Sequence, residues 1–193
     1  SLLSLSPGDV ELNKTATPVE GMVNTWDVLL EIKAKDTVTT SDIVLVIDRS
    51  GSMSGSKLTN AKNAAREFVN VLLPSTSTRI AVVSFAGEVT TNQALTNNVT
   101  NLNSAINGLY ANGGTFTQAA MRQAAAILTN STATYKNIVL LSDGQPTYSY
   151  GINYDYRMNT ANLQPYGSAW QTTVNTPEDQ FTSTRVGNGS DMW

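Results

Sequence analysis

The sequence contains neither cysteine nor histidine. Without cysteine the chain can form no disulfide, no thiolate metal site and no thiol nucleophile. Without histidine it can form no Ser-His-Asp triad, and the absence of both residues excludes a structural zinc site. Any metal site must therefore be built from oxygen ligands, which favour hard cations such as Mg²⁺, Ca²⁺ or Mn²⁺.

Charge and long apolar runs are also scarce. Charged residues make up 14% of the 193 residues, and the net charge is −3. No basic stripe is present to neutralise a phosphate backbone, so nucleic acid is excluded as a partner. For the same reason we expect no electrostatic attraction to an anionic membrane. No apolar stretch reaches the roughly 20 residues of a membrane span, so we expect no membrane insertion in this segment.

Residues 1–40 have the pattern of paired β-strands. Apolar and polar residues alternate in "VELNKTATP" and "NTWDVLLEIKAK", and the intervening "TPVEGMVN" has turn composition. The polar stretch "KDTVTTSD" follows as a junction. The pattern predicts strands of a separate domain over residues 1–40, ahead of a main domain over residues 41–193.

From Ser41 onward the pattern is that of an α/β protein. Three continuous apolar runs are typical of strands buried on both faces: "DIVLVI", "RIAVVSFA" and "KNIVLLSDG". Helical spacing or composition marks "SKLTNAKNAAREFVNVLLP", "TNLNSAINGLY" and "TQAAMRQAAAILTN", and "EVTTNQALT" reads as an edge strand. We expect a doubly wound, mostly parallel sheet flanked by helices, with its ligand site beyond the carboxyl ends of the strands.

Polar clusters stand at three places where strands end or helices begin. Asp48, Ser50 and Ser52 follow the first buried strand, Thr115 lies in "GGTFTQAA", and Asp143 ends the third strand. Because parallel strands deliver their carboxyl ends to one edge of the sheet, these side chains should converge there. Mg²⁺ takes such oxygens octahedrally and keeps water, which leaves a position for an external ligand. With mostly neutral donors the cation would prefer an anionic oxygen, such as the carboxylate of another protein.

The segments "DIVLVIDRSGSM", "GGTFT" and "VLLSDGQPT" resemble the von Willebrand factor type A domain with its metal-ion-dependent adhesion site. The resemblance covers residues 41–147. It implies that Ser50, Ser52 and Thr115 bind Mg²⁺ directly and that Asp48 and Asp143 act partly through water. It also implies an adhesion module that is not an enzyme.

Strands that lead directly into such a domain resemble a narrower group, the tip adhesins of Gram-positive, particularly streptococcal, pili. There the A domain is inserted into a stalk β-sandwich domain. The resemblance implies an extracellular, cell-wall-anchored pilus tip, other pilus subunits as neighbours, and host matrix or surface proteins of the collagen, fibronectin or laminin class as ligands. Such stalks often carry a lysine–asparagine isopeptide crosslink, and Lys14 lies at the family's lysine position; the alternative is a solvated strand lysine.

Residues 144–193 are rich in Asn, Thr, Ser, Gly and Tyr and have little periodicity. The composition is typical of adaptable recognition loops, and the pilus adhesins carry long insertions that form arms beside the metal site. The alternative is an insertion that packs its own aromatic residues. We also expect the C-terminal part of the A domain to lie beyond Trp193. The candidate ligand-contacting residues of the arm are Tyr148, Tyr150, Tyr154, Tyr156 and Trp170.

Two other functions compete with adhesion. A domains also mediate subunit contacts inside intracellular complexes such as chelatases, but the stalk-like strands and the aromatic tail argue against that role. Some metal-dependent phosphohydrolases place an Asp at the end of the first strand of a similar sheet. They need a second acid two residues later, where this chain has Ser50, so phosphoryl transfer is disfavoured.

Overall fold

The computed structural model describes residues 5–6, 8–35, 39–158, 163–166, 170–173 and 176–190, with side chains described outside 157–175. The chain divides into two compact units, Ser1–Thr39 and Thr40–Trp193. Among the described residues no helix is long and apolar enough to cross a membrane.

The first unit is a β-hairpin. Strand β1 (Val10–Pro18) pairs antiparallel with β2 (Trp26–Ala34), in a register that sets Val10 opposite Ala34 and Pro18 opposite Trp26. Every residue of both strands is exposed. The alternation of apolar and polar residues therefore predicted the strands correctly, although neither face is covered within this unit.

The second unit is built on a four-stranded, mostly parallel sheet. The central strand β3 pairs parallel with β4 and with β6, and β4 pairs antiparallel with the edge strand β5, giving the order β5-β4-β3-β6. The predicted α/β fold is confirmed. The strand bounds are β3 Ser41–Asp48, β4 Thr78–Phe85, β5 Val89–Thr96 and β6 Tyr135–Leu141.

Helices cover both faces of this sheet because alternate residues of the buried strands point to opposite sides. On one face, Leu45 and Ile80 of the sheet pack with helices α1 and α2; on the other, Val46 and Phe85 pack with α3. The side chain of Asn98 accepts a hydrogen bond from Asn101 N at 3.1 Å and caps the start of α2. The helix bounds are α1 Ser56–Leu72, α2 Val99–Asn107 and α3 Thr117–Thr129.

The arm has more regular structure than its composition predicted. Strands β7 and β10 pair antiparallel, and so do β8 and β9. The short length of these elements explains why no periodicity is visible in the sequence, since four residues are barely two repeats of a strand pattern. The bounds are β7 Ser149–Ile152, α4 Tyr154–Met158, β8 Leu163–Tyr166, β9 Trp170–Thr173 and β10 Phe181–Val186.

Candidate metal centre

Asp48 ends strand β3 at the carboxyl edge of the sheet and is completely buried. Its Oδ1 accepts a hydrogen bond from Ser50 N at 2.8 Å, and its Oδ2 accepts one from Ser142 Oγ at 2.6 Å. Both donors are neutral, and within the described part of the chain no cationic side chain pairs with this carboxylate. Burying a carboxylate without a paired cation is costly in free energy, so the carboxyl edge of the sheet favours the binding of a positive charge.

Two hydroxyl-bearing residues follow Asp48 in the same loop. Ser50 follows β3, and Ser52 lies in a 3-10 turn over Gly51–Met53. Their Oγ atoms are 3.1 Å apart, and Ser52 Oγ donates to Asp143 Oδ1 at 3.0 Å. Neighbouring ligands of an octahedral Mg²⁺ are about 3 Å apart when each lies about 2.1 Å from the ion. The Ser50–Ser52 and Ser52–Asp143 contacts are hydrogen bonds of that same length, so each pair of oxygens is compatible with neighbouring ligand positions on one cation.

Asp143 follows strand β6 and brings the second carboxylate to the same edge. Lys57, in the first turn of α1, donates to its Oδ2 at 2.7 Å. This hydrogen bond, aided by the one from Ser52, holds the pKa of Asp143 below its usual value. Asp143 is therefore ionised at neutral pH and available as an oxygen ligand.

Thr115 lies in the loop before α3 and is 3% exposed. This loop contacts the loop that carries Ser50 and Ser52, because Gly51 N donates to Gly113 O at 2.8 Å. The structure thus links four of the predicted ligands, Asp48, Ser50, Ser52 and Asp143, by hydrogen bonds or by chain adjacency, and it places the loop of the fifth beside them.

The donor set fits a hard divalent cation. It consists only of carboxylate and hydroxyl oxygens, which Mg²⁺, Mn²⁺ and Ca²⁺ accept. Across the described ranges no three residues of the types His, Cys, Asp and Glu cluster together, so a cation at this edge must use the hydroxyls as well as the two acids.

The sequence profile of the von Willebrand factor type A domain matches residues 42–179. The chain belongs to this family. The A-domain match begins in strand β3 and extends through the sheet and helices into the arm, so it includes all five predicted ligands.

The A domain is similar to that of bacterial pilus proteins. It is 35% identical over 155 residues to the minor fimbrium subunit Mfa5 of Porphyromonas gingivalis, a match that covers 74% of this chain and 13% of Mfa5. It is 32% identical over 128 residues to the inter-alpha-trypsin inhibitor heavy chain H4 of Bos taurus, covering 59% of this chain and 14% of that protein. The chain thus spans about one seventh of the length of these relatives.

Solved structures place the A domain in the same group. The three N-terminal domains of Mfa5, described as a type V pili tip protein, superpose with a TM-score of 0.71 at 32% identity, covering 86% of this chain and 31% of that one. The pilus adhesin SpaC of Lactobacillus rhamnosus GG has a TM-score of 0.58 at 24% identity over 95% of this chain and 23% of its own, which shows a shared fold.

These comparisons confirm the predicted resemblance to pilus tip adhesins and the α/β fold. Mfa5 and SpaC are named as a fimbrium subunit and a pilus adhesin, and neither name describes an enzyme, in agreement with the prediction of a non-enzymatic module. Mfa5 comes from a Gram-negative bacterium, and anchoring to a Gram-positive cell wall therefore gains no support from it.

The arm residues fall into distinct environments. Tyr148 and Tyr150 are half-buried and pack against Phe116, with ring centroids 6.1 and 4.8 Å away. Tyr154 is 66% exposed, and Tyr156 is half-buried. Trp170 begins β9, and its side chain lies outside the described residues.

Lys14 lies at the centre of an apolar face of the hairpin. It stands opposite Leu30, and directly opposite residues of paired strands share a face. Residues two positions away along each strand point to that same face. Its apolar neighbours there are Val10, Leu12, Ala16, Trp26, Val28 and Ile32.

Two residues of the site were not predicted from the sequence. Ser142 donates to Asp48 from 94 positions away, and Lys57 pairs with Asp143 from 86 positions away. Ser142 immediately precedes Asp143 at a predicted strand end, which was the available signal; for Lys57, an ordinary lysine in the first turn of a helix, there was none.

Proposed function

We propose that this A domain is the adhesive module of a pilus tip protein and binds an acidic partner through a divalent cation. Asp48, Ser50, Ser52, Thr115 and Asp143 would hold Mg²⁺, with Mn²⁺ and Ca²⁺ as alternatives. When bound, the cation supplies an electrophilic position for a carboxylate oxygen of the partner. The observation that carries the proposal is the completely buried Asp48, whose hydrogen-bond donors are neutral and which shares its loop with the mutually hydrogen-bonded hydroxyls of Ser50 and Ser52.

The residues at the carboxyl edge of the sheet have different roles in this proposal. The buried carboxylate of Asp48 orients the loop by accepting from Ser50 N, and it supplies charge that Ser142 helps to hold in place. Ser52 and Asp143 add oxygens from the exposed side, where a partner has access. Lys57 offsets one of the two negative charges, so the donor set stays weakly charged and favours an anionic ligand.

For the partner, we propose a host matrix or surface protein of the collagen, fibronectin or laminin class, and other pilus subunits as neighbours in the assembly. The tip position of Mfa5 supports an extracellular location. Anchoring to a Gram-positive cell wall stays a prediction. Within the arm, Tyr154 is favoured for partner contact because it is 66% exposed, whereas Tyr148, Tyr150 and Tyr156 are half-buried.

Solid-phase binding to collagen, fibronectin and laminin tests this proposal. We expect the wild-type protein to bind at least one of them in Mg²⁺ and to lose that binding in EDTA. Asp48→Ala should abolish binding, whereas Glu67→Ala, which removes an exposed acid on α1, should leave it unchanged. Binding that persists in EDTA and in Asp48→Ala would contradict a metal-bridged contact and move recognition to the arm.

We also propose that Lys14 forms an isopeptide bond in the complete stalk domain. The apolar face around it must be covered, since an isolated two-stranded hairpin is marginal in water and a buried, unpaired ammonium is costly. The neutral Lys14 amine would attack the side-chain carbonyl carbon of an Asn, the C–N bond of the amide would break, and ammonia would leave. This balance requires no oxidant or other reactant.

Intact mass of the full-length protein measures this bond. We expect a mass one ammonia below the calculated value, and Lys14→Arg should restore the calculated mass. Lys33→Arg is the matched control, because Lys33 lies on the opposite face of the same hairpin and pairs with Glu31. A wild-type mass equal to the calculated value would show that Lys14 is uncrosslinked.

A further inference from the structure

The described residues of the arm bond directly to the backbone of Thr115. Thr115 N donates to Thr147 Oγ1 at 2.8 Å. Its carbonyl oxygen accepts from Thr147 N at 2.9 Å and from Tyr148 N at 3.1 Å. Both backbone polar groups of Thr115 are therefore satisfied by the arm, although the residue itself belongs to the loop before α3.

Tyr148 is held in a cradle of four glycines: Gly87, Gly114, Gly187 and Gly189. A Cβ added to Gly114 would lie 2.6 Å from Thr147 Oγ1 and 2.7 Å from Tyr148 Cε2, closer than real Cβ contacts come. A Cβ on Gly87 would lie 3.2 Å from the same ring. The close approach of arm and loop therefore requires the absence of side chains at these positions.

Charged and aromatic contacts fix the arm in this position. The Arg185 guanidinium lies 4.6 Å from the centre of the Tyr148 ring, and its Nη1 donates to Gly87 O at 2.6 Å. The Arg122 guanidinium lies 4.1 Å from the Tyr150 ring. Stacking of a guanidinium on an aromatic face is favourable, so Arg122 of α3 anchors Tyr150 to the A-domain body. Arg185 belongs to the arm and links Tyr148 to the body through its bond to Gly87 O.

The two loops of the candidate site are thus held in different ways. Ser50 and Ser52 follow Asp48 at the end of a buried strand, and their loop is held by Asp48, by Asp143 and by the hydrogen bond from Gly51 N to Gly113 O, with no arm residue among these partners. Thr115 takes its backbone hydrogen bonds from residues 32 and 33 positions away in the arm.

We infer that Thr147 and Tyr148 are positioning residues that set the place of Thr115, so that the cation affinity of the carboxyl edge depends on a docked arm. The inference rests on the proposed cation site. A partner that engages the arm would then act on the same loop that carries a metal ligand, and arm docking would be a means of tuning adhesion.

The decisive variant is Gly114→Ala, which adds one carbon between arm and loop and alters no ligand. Gly108→Ala is the matched control, because its added Cβ would meet Ser104 O at an ordinary 3.5 Å. Tyr148→Ala loosens the same contact from the arm side without adding an atom. Mg²⁺ affinity is measured by calorimetry, and amide hydrogen exchange of Thr115, Thr147 and Tyr148 reports whether the arm is docked.

We expect Gly114→Ala and Tyr148→Ala to weaken Mg²⁺ binding about 10- to 100-fold and to speed exchange at these amides, while Gly108→Ala behaves as wild type. Unchanged affinity in both variants, with faster amide exchange, would overturn this inference and leave the cation site intact. Failure of the wild-type protein to bind Mg²⁺ would overturn the proposed function, and this inference with it.

Discussion

Strand β3 carries a buried aspartate near each end, and the two are treated in opposite ways. Asp42, 1% exposed at the amino end, accepts two hydrogen bonds from Arg79, at 2.9 and 2.6 Å, and a further one from Ser131. Asp48, completely buried at the carboxyl end, has only neutral donors. The same residue type, in the same strand and equally buried, is neutralised at one end and left uncompensated at the other.

This difference separates structural from functional use of a buried charge. The bidentate guanidinium at Asp42 completes an ion pair and holds the pKa of that carboxyl below its usual value. At the carboxyl edge the Lys57 ammonium pairs with Asp143, and within the described residues no cation pairs with Asp48, whose Oδ2 accepts from the Ser142 hydroxyl instead. A bound cation at that edge would compensate the charge of Asp48, as Arg79 compensates the charge of Asp42.

The largest effect is expected when the missing cation is supplied. Mg²⁺ at about 100 times its dissociation constant should raise the free energy of unfolding by about 2.7 kcal/mol, because it binds only the folded state. Asp42→Asn should gain the same increment, since its substitution is at the other end of β3. Urea unfolding in Mg²⁺ and in EDTA measures this increment for the wild-type protein and for Asp42→Asn. A wild-type unfolding midpoint that is the same in Mg²⁺ and in EDTA would contradict a cation site at Asp48.

Neutralising Asp42 and Asp48 in turn should change the free energy of unfolding by different amounts. In EDTA, Asp42→Asn should lower the free energy of unfolding by about 2 kcal/mol, because the ion pair with the half-exposed Arg79 is lost. Asp48→Asn should not destabilise the protein in EDTA, since an amide can still bond to Ser50 and Ser142 without a buried charge. Circular dichroism during urea unfolding measures both free energies. Equal destabilisation by the two substitutions would mean that the charge of Asp48 is already compensated.

Acid should destabilise the protein in part through Asp42. Its pKa is lowered in the folded protein, so its contribution is present above the unfolded value of about 3.9 and is lost as the pH falls below it. The unfolding free energy in EDTA should therefore fall as the pH drops below about 4, and Asp42→Asn should flatten that fall. A slope that is unaltered in Asp42→Asn would assign the acid sensitivity elsewhere.

Lys57 gives the smallest predicted effect. Its side chain is 57% exposed and its ammonium pairs with Asp143, so it opposes a cation only weakly. Lys57→Met should tighten Mg²⁺ binding about threefold by removing a neighbouring positive charge. Calorimetry measures the change. Weaker binding in Lys57→Met would instead mean that the lysine orients Asp143 for the site.

Much of the fold is predictable because it rests on local patterns. Continuous apolar runs correctly predict β3, β4 and β6, and helical spacing predicts α1 up to Leu72, just before Pro74. Within the described part of the arm the prediction was weaker, since β7 and β10 are short and pair across about 30 residues. Pairing of that kind depends on tertiary contacts that no local pattern encodes.

In the candidate site too, local sequence patterns predict some features and tertiary contacts determine the others. Asp48, Ser50 and Ser52 form one continuous motif, and a strand-end rule brings Asp143 to them. The rule contains no information on what surrounds each ligand. The neutral environment of Asp48 depends on Ser142, and the place of Thr115 depends on Thr147, both of which are visible only once the chain is folded.

We propose that the uncompensated carboxylate of Asp48 belongs to a cation site. Calorimetric titration of Mg²⁺ into the EDTA-stripped, dialysed protein tests it most directly, with Asp48→Asn alongside and Asp42→Asn as the control for a buried aspartate elsewhere in the same strand. We predict one Mg²⁺ per chain for the wild-type protein and for Asp42→Asn, and none for Asp48→Asn. Binding of equal strength in Asp48→Asn, or no binding by the wild-type protein, would contradict the account.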